Sequence, residues 1–443
     1  MPVSFSGLSS GLDTQAIIAQ LMTLERIPIQ RVEQRKTDIG QQLTTLADIV
    51  TKMKTLQEKV LAMDAIGEAR TMLAKSGDEA VFEATASGDA EPGSFGIQVD
   101  RLASAERTWS KAFASKTALG LVGTGDLVIT VGSDAPKTIS IDQATDSLES
   151  VAAKINASGA RASASILYDG TSYFLVVAGK DSGTANGITF DDPTALDLDV
   201  AGAEKQAALD SKIVMDGQII YRPTNVLTDV LKGVSVRLKK VQAGAVGLTV
   251  DVDPAGMRAR AQAFVDAYNE VARAIGAQFA WSGKSKGQGS LAGDATLRDQ
   301  LNRLQNIVTS EVTGLSGRYT ALSEIGISTS KDGTLKLDAT EFDKAAREDA
   351  LGVAKLFTRE TGSKGVAAQI DDEVKSATDF ASGRFTLRRQ GLDARVTQAD
   401  KDVARLEAQL VKTEERLRAQ FTALEQLMAA LNTQGGFLQG IGR

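Results

Sequence analysis

The chain has 443 residues, a formal charge of −6, 42 % hydrophobic and only 5 % aromatic side chains, and 41 glycines. That mixture suits long helices joined to turn-rich β domains rather than one dense core. Cysteine and histidine are both absent, which removes disulfides, thiolate metal sites and the commonest general base, so the expectation is a chain that is not an enzyme and takes no cofactor or metal.

The first dozen residues, MPVSFSGLSSGL, are small, hydroxylated and glycine-rich, with Phe5, Leu8 and Leu12 as isolated apolar points. Asp13 is a good N-cap for a short helix carrying Ile17, Ile18, Leu21 and Leu24 on one face, and Pro28 ends that helix and suits the first turn of the next. From there Val32, Ile39, Leu46, Met53 and Val60 recur every seven residues, flanked by Leu43 and Val50 on one side and Ile49, Leu56 and Met63 on the other. The spacing predicts a long heptad helix to about Met63.

From about Thr71 the period turns alternating. Strands are expected over 81–86 and 94–99 around a turn at Glu91-Pro92-Gly93, and a hairpin over 126–131 and 137–141. A helix over 147–156, capped by Asp146 or Ser147, precedes a second hairpin over 162–168 and 173–178. Strands over 212–215, 218–221, 233–241 and 248–252 close the β region. Residues 77–253 hold 24 acidic and 15 basic side chains, net −9, which leaves +3 on the rest. An acidic middle argues against nucleic acid and against an anionic membrane surface.

Helix resumes near Ala255, with Ala261, Phe264, Val265, Tyr268, Val271, Ala272 and Ile275 on one face, then over 297–312 and 342–357, with short strands at 325–328 and 335–337. The end of the chain repeats the heptad signal. One column reads Val396, Val403, Leu410, Leu417, Leu424 and Leu431; a second reads Leu392, Ala399, Leu406, Thr413, Gln420 and Leu427. Two such columns make a coiled-coil seam that needs a mate, and the N-terminal heptads supply it. The two ends are expected to lie side by side, with Leu46 near Leu410.

The fold expected is thus α+β multidomain: terminal helices paired as a coiled-coil leg, with nested β-rich head domains inserted between them. The divisions are an N-terminal arm with a short helix (1–28), a leg helix (29–70) and a discontinuous β-rich head domain (71–114 and 206–253). An inserted β-β-α-β-β subdomain (115–205), a helical domain with short strands (254–390), the C-terminal leg helix (391–432) and a flexible tail (433–443) complete the chain. No stretch approaches the roughly 18 apolar residues of a membrane span, and the first twelve residues lack the form of a cleavable signal.

Motifs that suggest chemistry fail on spacing. Gly283-Lys284-Ser285 lacks the glycine a phosphate loop needs five residues earlier, where Gln278 stands. The run from Asp197 to Gly202 starts like a calcium loop but has Ala201 and Ala208 at ligand positions.

Several stretches resemble one family, the flagellar filament-capping proteins, also called hook-associated protein 2. They are SFSGLSSGLDTQAIIAQLMTLERIPI (4–29), EPGSFGIQVDRLASAERTWS (91–110), VMDGQIIYRPTNVLTDVLKGVSVRLK (214–239), FVDAYNEV (264–271), SLAGDATLRDQL (290–301), EIGISTSKDGTLKLD (324–338) and QFTALEQLMAALN (420–432). The resemblance implies a secreted, extracellular protein at the distal tip of the bacterial flagellum, assembled as a ring-shaped homo-oligomer, under which flagellin folds and inserts. It implies hook-filament junction proteins as neighbours and an export chaperone on the C-terminal helix, over 421–437. Docking on flagellin or neighbouring subunits would use Phe5, Leu8, Leu12, Ile17, Ile18 and Leu21 of the arm, with Leu424, Leu427, Met428, Leu431, Phe437 and Leu438 of the tail. The seam would be Val32, Ile39, Leu46, Met53, Val60, Val396, Val403, Leu410 and Leu417. Two other readings are a related axial component such as a junction protein, and a surface adhesin using the β-rich head.

Overall fold

The computed structural model describes residues 13–200, 204–279 and 289–441, with side chains to Gln434. Ten helices are described: α1 (Thr14–Glu25), α2 (Ile27–Leu61), α3 (Ile66–Ala69), α4 (Leu148–Ala157), α5 (Pro254–Phe279), α6 (Ala295–Thr309), α7 (Ala339–Glu348), α8 (Ala350–Lys355), α9 (Val366–Thr378) and α10 (Arg384–Ile441). The fold class is the expected mixture, with long helices at both ends of the chain flanking β-rich segments. The chain divides into two compact units, one of Met1–Asp64, Ala259–Phe342 and Lys355–Arg443, the other of Ala65–Arg258 and Asp343–Ala354.

The first unit is helical. Asp13 caps α1 by accepting from the Ala16 N–H at 2.9 Å, and Pro28 sits in the first turn of α2, as the sequence requires. The whole predicted apolar face of α5, Ala261 to Ile275, is buried, and Phe264 meets Phe357 edge-on with ring centroids 6.0 Å apart. Asn269 on α5 clamps the short strand Leu335–Leu337 from within the core: its Nδ2 donates to the Leu335 carbonyl at 2.9 Å and its Oδ1 accepts from the Leu335 N–H at 2.7 Å. Asp294 caps α6 and also accepts from Arg388 on α10 at 2.7 Å.

Helices α2 and α10 pack along each other and run antiparallel. Lys36 pairs with Asp400, while Leu46 and Val50 share a cleft of about 490 Å³ with Phe385 and Arg389. Partner positions therefore sum to about 436, which sets Leu46 opposite Gln390 and corrects the expected approach of Leu46 to Leu410. The same sum carries α2 past the start of α10 at Met53. Met53 and Val60 are buried, but in the region where α2 packs on α9 and Gln57 donates to the buried Asp371 at 2.8 Å. Their heptad spacing serves the unit's core and not the α2–α10 seam.

Two further expectations are corrected. Helix α10 continues to Ile441, past the expected end at 432, because no proline stands in this stretch to stop it and its three glycines, Gly435, Gly436 and Gly440, cost only about 1 kcal/mol each. The helix expected over 342–357 is two, because Asp349 caps a new start, accepting from the Gly352 N–H at 2.7 Å.

The second unit is mostly β. A five-stranded antiparallel sheet is ordered Met72–Ser76, Gln242–Val252, Gly93–Arg101, Ser211–Met215, Gln218–Arg222. A three-stranded sheet is ordered Val226–Leu231, Val234–Leu238, Phe82–Ala86. The two share a core that includes Phe82, Ile97, Val99, Leu248 and Val236. Between Arg101 and Ser211 the chain builds another core, with Leu127, Ile129, Val151, Ile155, Leu175 and Val177 at its centre. Both predicted hairpins are present there, and α4 starts at Ser147 with a reciprocal capping box to Ser150. Three short strands, Arg107–Trp109, Ile188–Asp191 and Lys205–Gln206, extend its two sheets.

The two β cores are tied by polar clamps. Asn225 exchanges two hydrogen bonds with the Ala103 backbone, at 2.7 and 2.9 Å. Asp210 accepts from the Thr184 N–H at 2.7 Å, and Gly183, at φ +100°, lies so close to Pro223 that a Cβ there would approach its ring at 2.5 Å.

Candidate docking surface on the terminal helices

The only residue between α1 and α2 is Arg26, still near helical geometry at φ −78°, ψ −17°. Helix α1 therefore extends the line of α2 along α10, and the two are in contact. Ile18 and Met22 of α1 share a groove with Glu414 and Arg418 of α10, an ion pair at 2.7 Å one turn apart. The α1 and α10 residues around this groove straddle the sum of 436 that Lys36 with Asp400 gives, so α1 keeps the antiparallel sense of α2.

The seam residues of α10 fall into a graded series. Leu392 and Ala399 are buried; Val396, Val403, Leu406, Leu410 and Leu417 are half-buried; Leu424, Leu427 and Leu431 are 41, 57 and 51 % exposed. The break falls opposite Thr14, where α1 begins. On the facing side Val32 is half-buried, while Ile39 and Leu46 are buried. Of the arm residues, Leu21 is exposed and Ile17 half-buried, but Ile18 is 7 % exposed and serves the chain's own packing. Met428 is half-buried. Phe5, Leu8 and Leu12 lie outside the described residues, as do the side chains of Phe437 and Leu438.

Charge changes at the same place. Up to Arg418 the helix is densely charged, whereas from Ala419 to Ile441 its only ionisable side chain is Glu425. The exposed leucines thus stand on a nearly neutral stretch of helix.

Two features escaped the sequence reading. Phe380, in the turn between α9 and α10, is 87 % exposed beside the cleft that holds Leu43 and Val50. A lone aromatic next to Asp379 carried no periodicity to mark it. Val411 is also exposed, off both columns.

No group of three or more acidic side chains among the described residues converges on a metal position. In the calcium-like loop, Asp197 pairs with Lys111 at 3.4 Å and Asp199 accepts from the Asp192 N–H at 3.1 Å, so both carboxylates hold the loop itself; residues 201–203 lie outside the description, as do Gly283, Lys284 and Ser285. No described helix is long and apolar enough to cross a membrane.

Comparison with known proteins bears on the whole chain. A family profile described as "Flagellar hook-associated protein 2 C-terminus" matches residues 208–433, and one for the N-terminus matches residues 10–106. The B-type flagellar hook-associated protein 2 of Pseudomonas aeruginosa is 31 % identical, covering 93 % of this chain and 89 % of that one. The A-type protein of the same species is 29 % identical over 98 % of this chain and 96 % of its own. Among solved structures, the D1-D2-D3 domains of the flagellar cap protein FliD from Escherichia coli superpose with a TM-score of 0.69 at 27 % identity, covering 79 % of this chain and 99 % of that one.

Proposed function

Because this chain belongs to the flagellar hook-associated protein 2 family, we propose that it caps the distal tip of the bacterial flagellar filament and promotes the folding and insertion of arriving flagellin. It is a structural protein and not an enzyme. The observation that carries the reading is the leucine seam of α10, which outruns α1 and leaves Leu424, Leu427 and Leu431 uncovered on a neutral helix. Such a surface makes contacts that form and exchange without bond chemistry, which a cap must do as subunits are added beneath it.

The finer reading has the protein exported and assembled as a ring-shaped homo-oligomer. Phe5, Leu8, Leu12, Ile17, Leu21, Leu424, Leu427, Met428, Leu431, Phe437 and Leu438 then bear on flagellin or on neighbouring copies. Hook-filament junction proteins are its neighbours before the filament grows, and an export chaperone covers residues 421–437 before secretion. The readings as a junction protein or as an adhesin are not favoured, since the similarity to a flagellar cap protein takes in 99 % of that protein's solved domains.

The test is a chain lacking residues 1–28, supplied to cells without their own copy. The purified chain is expected to keep its β-sheet signal while the cells grow no filaments; normal filaments would overturn the docking role of the arm.

A further inference from the structure

Strand Gln218–Arg222 ends the five-stranded sheet, and its one strand neighbour among the described residues is Ser211–Met215. The two strands are joined by a two-residue turn, Asp216-Gly217, with both φ angles positive at 47° and 85°. Such a turn makes Met215 and Gln218 a hydrogen-bonded pair, and the alternation of an antiparallel ladder then turns the backbone of Gln218, Ile220 and Arg222 inward. The N–H and C=O of Ile219 and Tyr221 therefore point out of the sheet. Side chains agree: the Ser211 hydroxyl donates to the inward Arg222 carbonyl at 3.0 Å, and Arg222 Nη1 donates to the outward Tyr221 carbonyl at 2.8 Å.

This edge is also apolar. Ile219 and Tyr221 are 57 and 50 % exposed, with half-buried Val214 beside Ile219 on the same face. Other edges of the same unit are guarded. At Ala162–Tyr168 the Asn156 amide takes up the backbone of Ala164, donating to its carbonyl and accepting from its N–H, both at 2.8 Å. Met72–Ser76, at the far end of the five-stranded sheet, carries Lys75. Gln218–Arg222 has neither device, and its one charge, on Arg222, is held by both Asp229 oxygens at 3.0 Å.

The edge is complementary to itself. Laid antiparallel to a second copy about Ile220, Ile219 exchanges two hydrogen bonds with the second copy's Tyr221, and Tyr221 does the same with its Ile219. A carbonyl has two lone pairs, so the bond from Arg222 to Tyr221 is no obstacle. The four side chains form aliphatic–aromatic cross-strand pairs, and Arg222 comes opposite Gln218 and not opposite another charge.

We propose that Gln218–Arg222 is a docking edge for the same strand of a second copy, joining two five-stranded sheets into one across a two-fold axis. A contact of this kind closes at two copies, so it is separate from any ring contact, which must run head to tail. It rests on the β unit alone and not on the capping role.

The chain has no cysteine, so Ile220→Cys in the full-length protein puts one thiol on the axis. Facing Cα atoms there stand about 4.5 Å apart, within disulfide reach. Under mild oxidation this variant is expected to dimerise about tenfold faster than Thr249→Cys, an exposed site on an interior strand of the same sheet. Adding Tyr221→Lys, which sets a charge on the edge, should remove that advantage. Equal rates for the two thiols, or a rate that Tyr221→Lys leaves unchanged, would overturn the proposal. In the unaltered protein, the Ile219 and Tyr221 amides should exchange several-fold more slowly as protein concentration rises. Exchange independent of concentration, or protection that comes only with added flagellin, would also overturn it. Neither measurement depends on filament growth, so its failure is distinguishable from failure of the capping role.

Discussion

Lys36 of α2 and Asp400 of α10, 364 positions apart in the chain, form an ion pair across the helical seam. The pair reads out the antiparallel register and thereby which leucines meet. Spin labels at positions 36 and 400 are therefore expected to lie close. Labels at Leu46 and Leu410 should stand about 30 Å apart, because twenty residues separate Leu410 from the position opposite Leu46. A short distance for the second pair would mean that the helices have slipped.

The pair marks the register but contributes little to stability. Both side chains are about half exposed, so Asp400→Ala is expected to cost less than about 1 kcal/mol. Leu46 is 2 % exposed, and Leu46→Ala should cost about 2 to 5 kcal/mol. Helical circular dichroism followed through a denaturant titration separates the two.

Inside the helical unit, Asn269→Ala leaves the buried N–H and C=O of Leu335 without partners. The expected loss is about 1 to 3 kcal/mol for each group. Hydrogen exchange should show the Leu335 amide losing its protection first.

Acid should weaken the same unit. Asp372 accepts from Arg359 and Lys364, both at 2.8 Å, and these bonds hold its carboxyl down at about 2. A pKa lowered on folding contributes stability above the unfolded value near 4 and loses it as pH falls toward 2. Asp372→Asn should flatten the decline in denaturation midpoint between about pH 4 and pH 2.

Gly183 and Gly170 both sit at φ +100°, but only Gly183 has Pro223 within 2.5 Å of where a Cβ would stand. Each change to Ala is expected to cost about 1 to 3 kcal/mol for the backbone conformation. Gly183→Ala should cost more, and the excess, read by thermal unfolding, measures the contact between the two β cores.

Replacing Leu424, Leu427 and Leu431 together by Ser should leave the thermal midpoint of the purified protein nearly unchanged, since all three are exposed. Filament growth in cells should stop. A marked fall in the midpoint would mean that the stripe is needed for folding.

Much of this was legible because it is periodic. Heptads from Ile39 to Leu46 and from Leu392 to Leu417, the face of α5, the Ser147 cap and the two hairpins of the inserted segment each carry a local signal strong enough to survive packing. What escaped is non-local. Arg107–Trp109 and Lys205–Gln206 are three- and two-residue strands that exist only because they pair with each other and, for the first, with Tyr173–Gly179. The heptad itself could not say that Met53 faces α9, since a stripe does not name its partner; length did, once α10 was seen to begin at Arg384. The exposed Phe380 had no period to betray it.

The joint at Arg26 has a mechanical meaning. Pro28 lacks the N–H that would bond back to Leu24, so one rung is missing from the ladder joining α1 to α2. The hydrogen bonds from Arg26 to Met22 and from Gln30 to Arg26 still bridge the joint, so α1 is held in line by a weakened ladder together with the side chains it rests on along α10. An object that pries α1 away needs only to beat those contacts, and the long shaft of α2 does not have to swing with it.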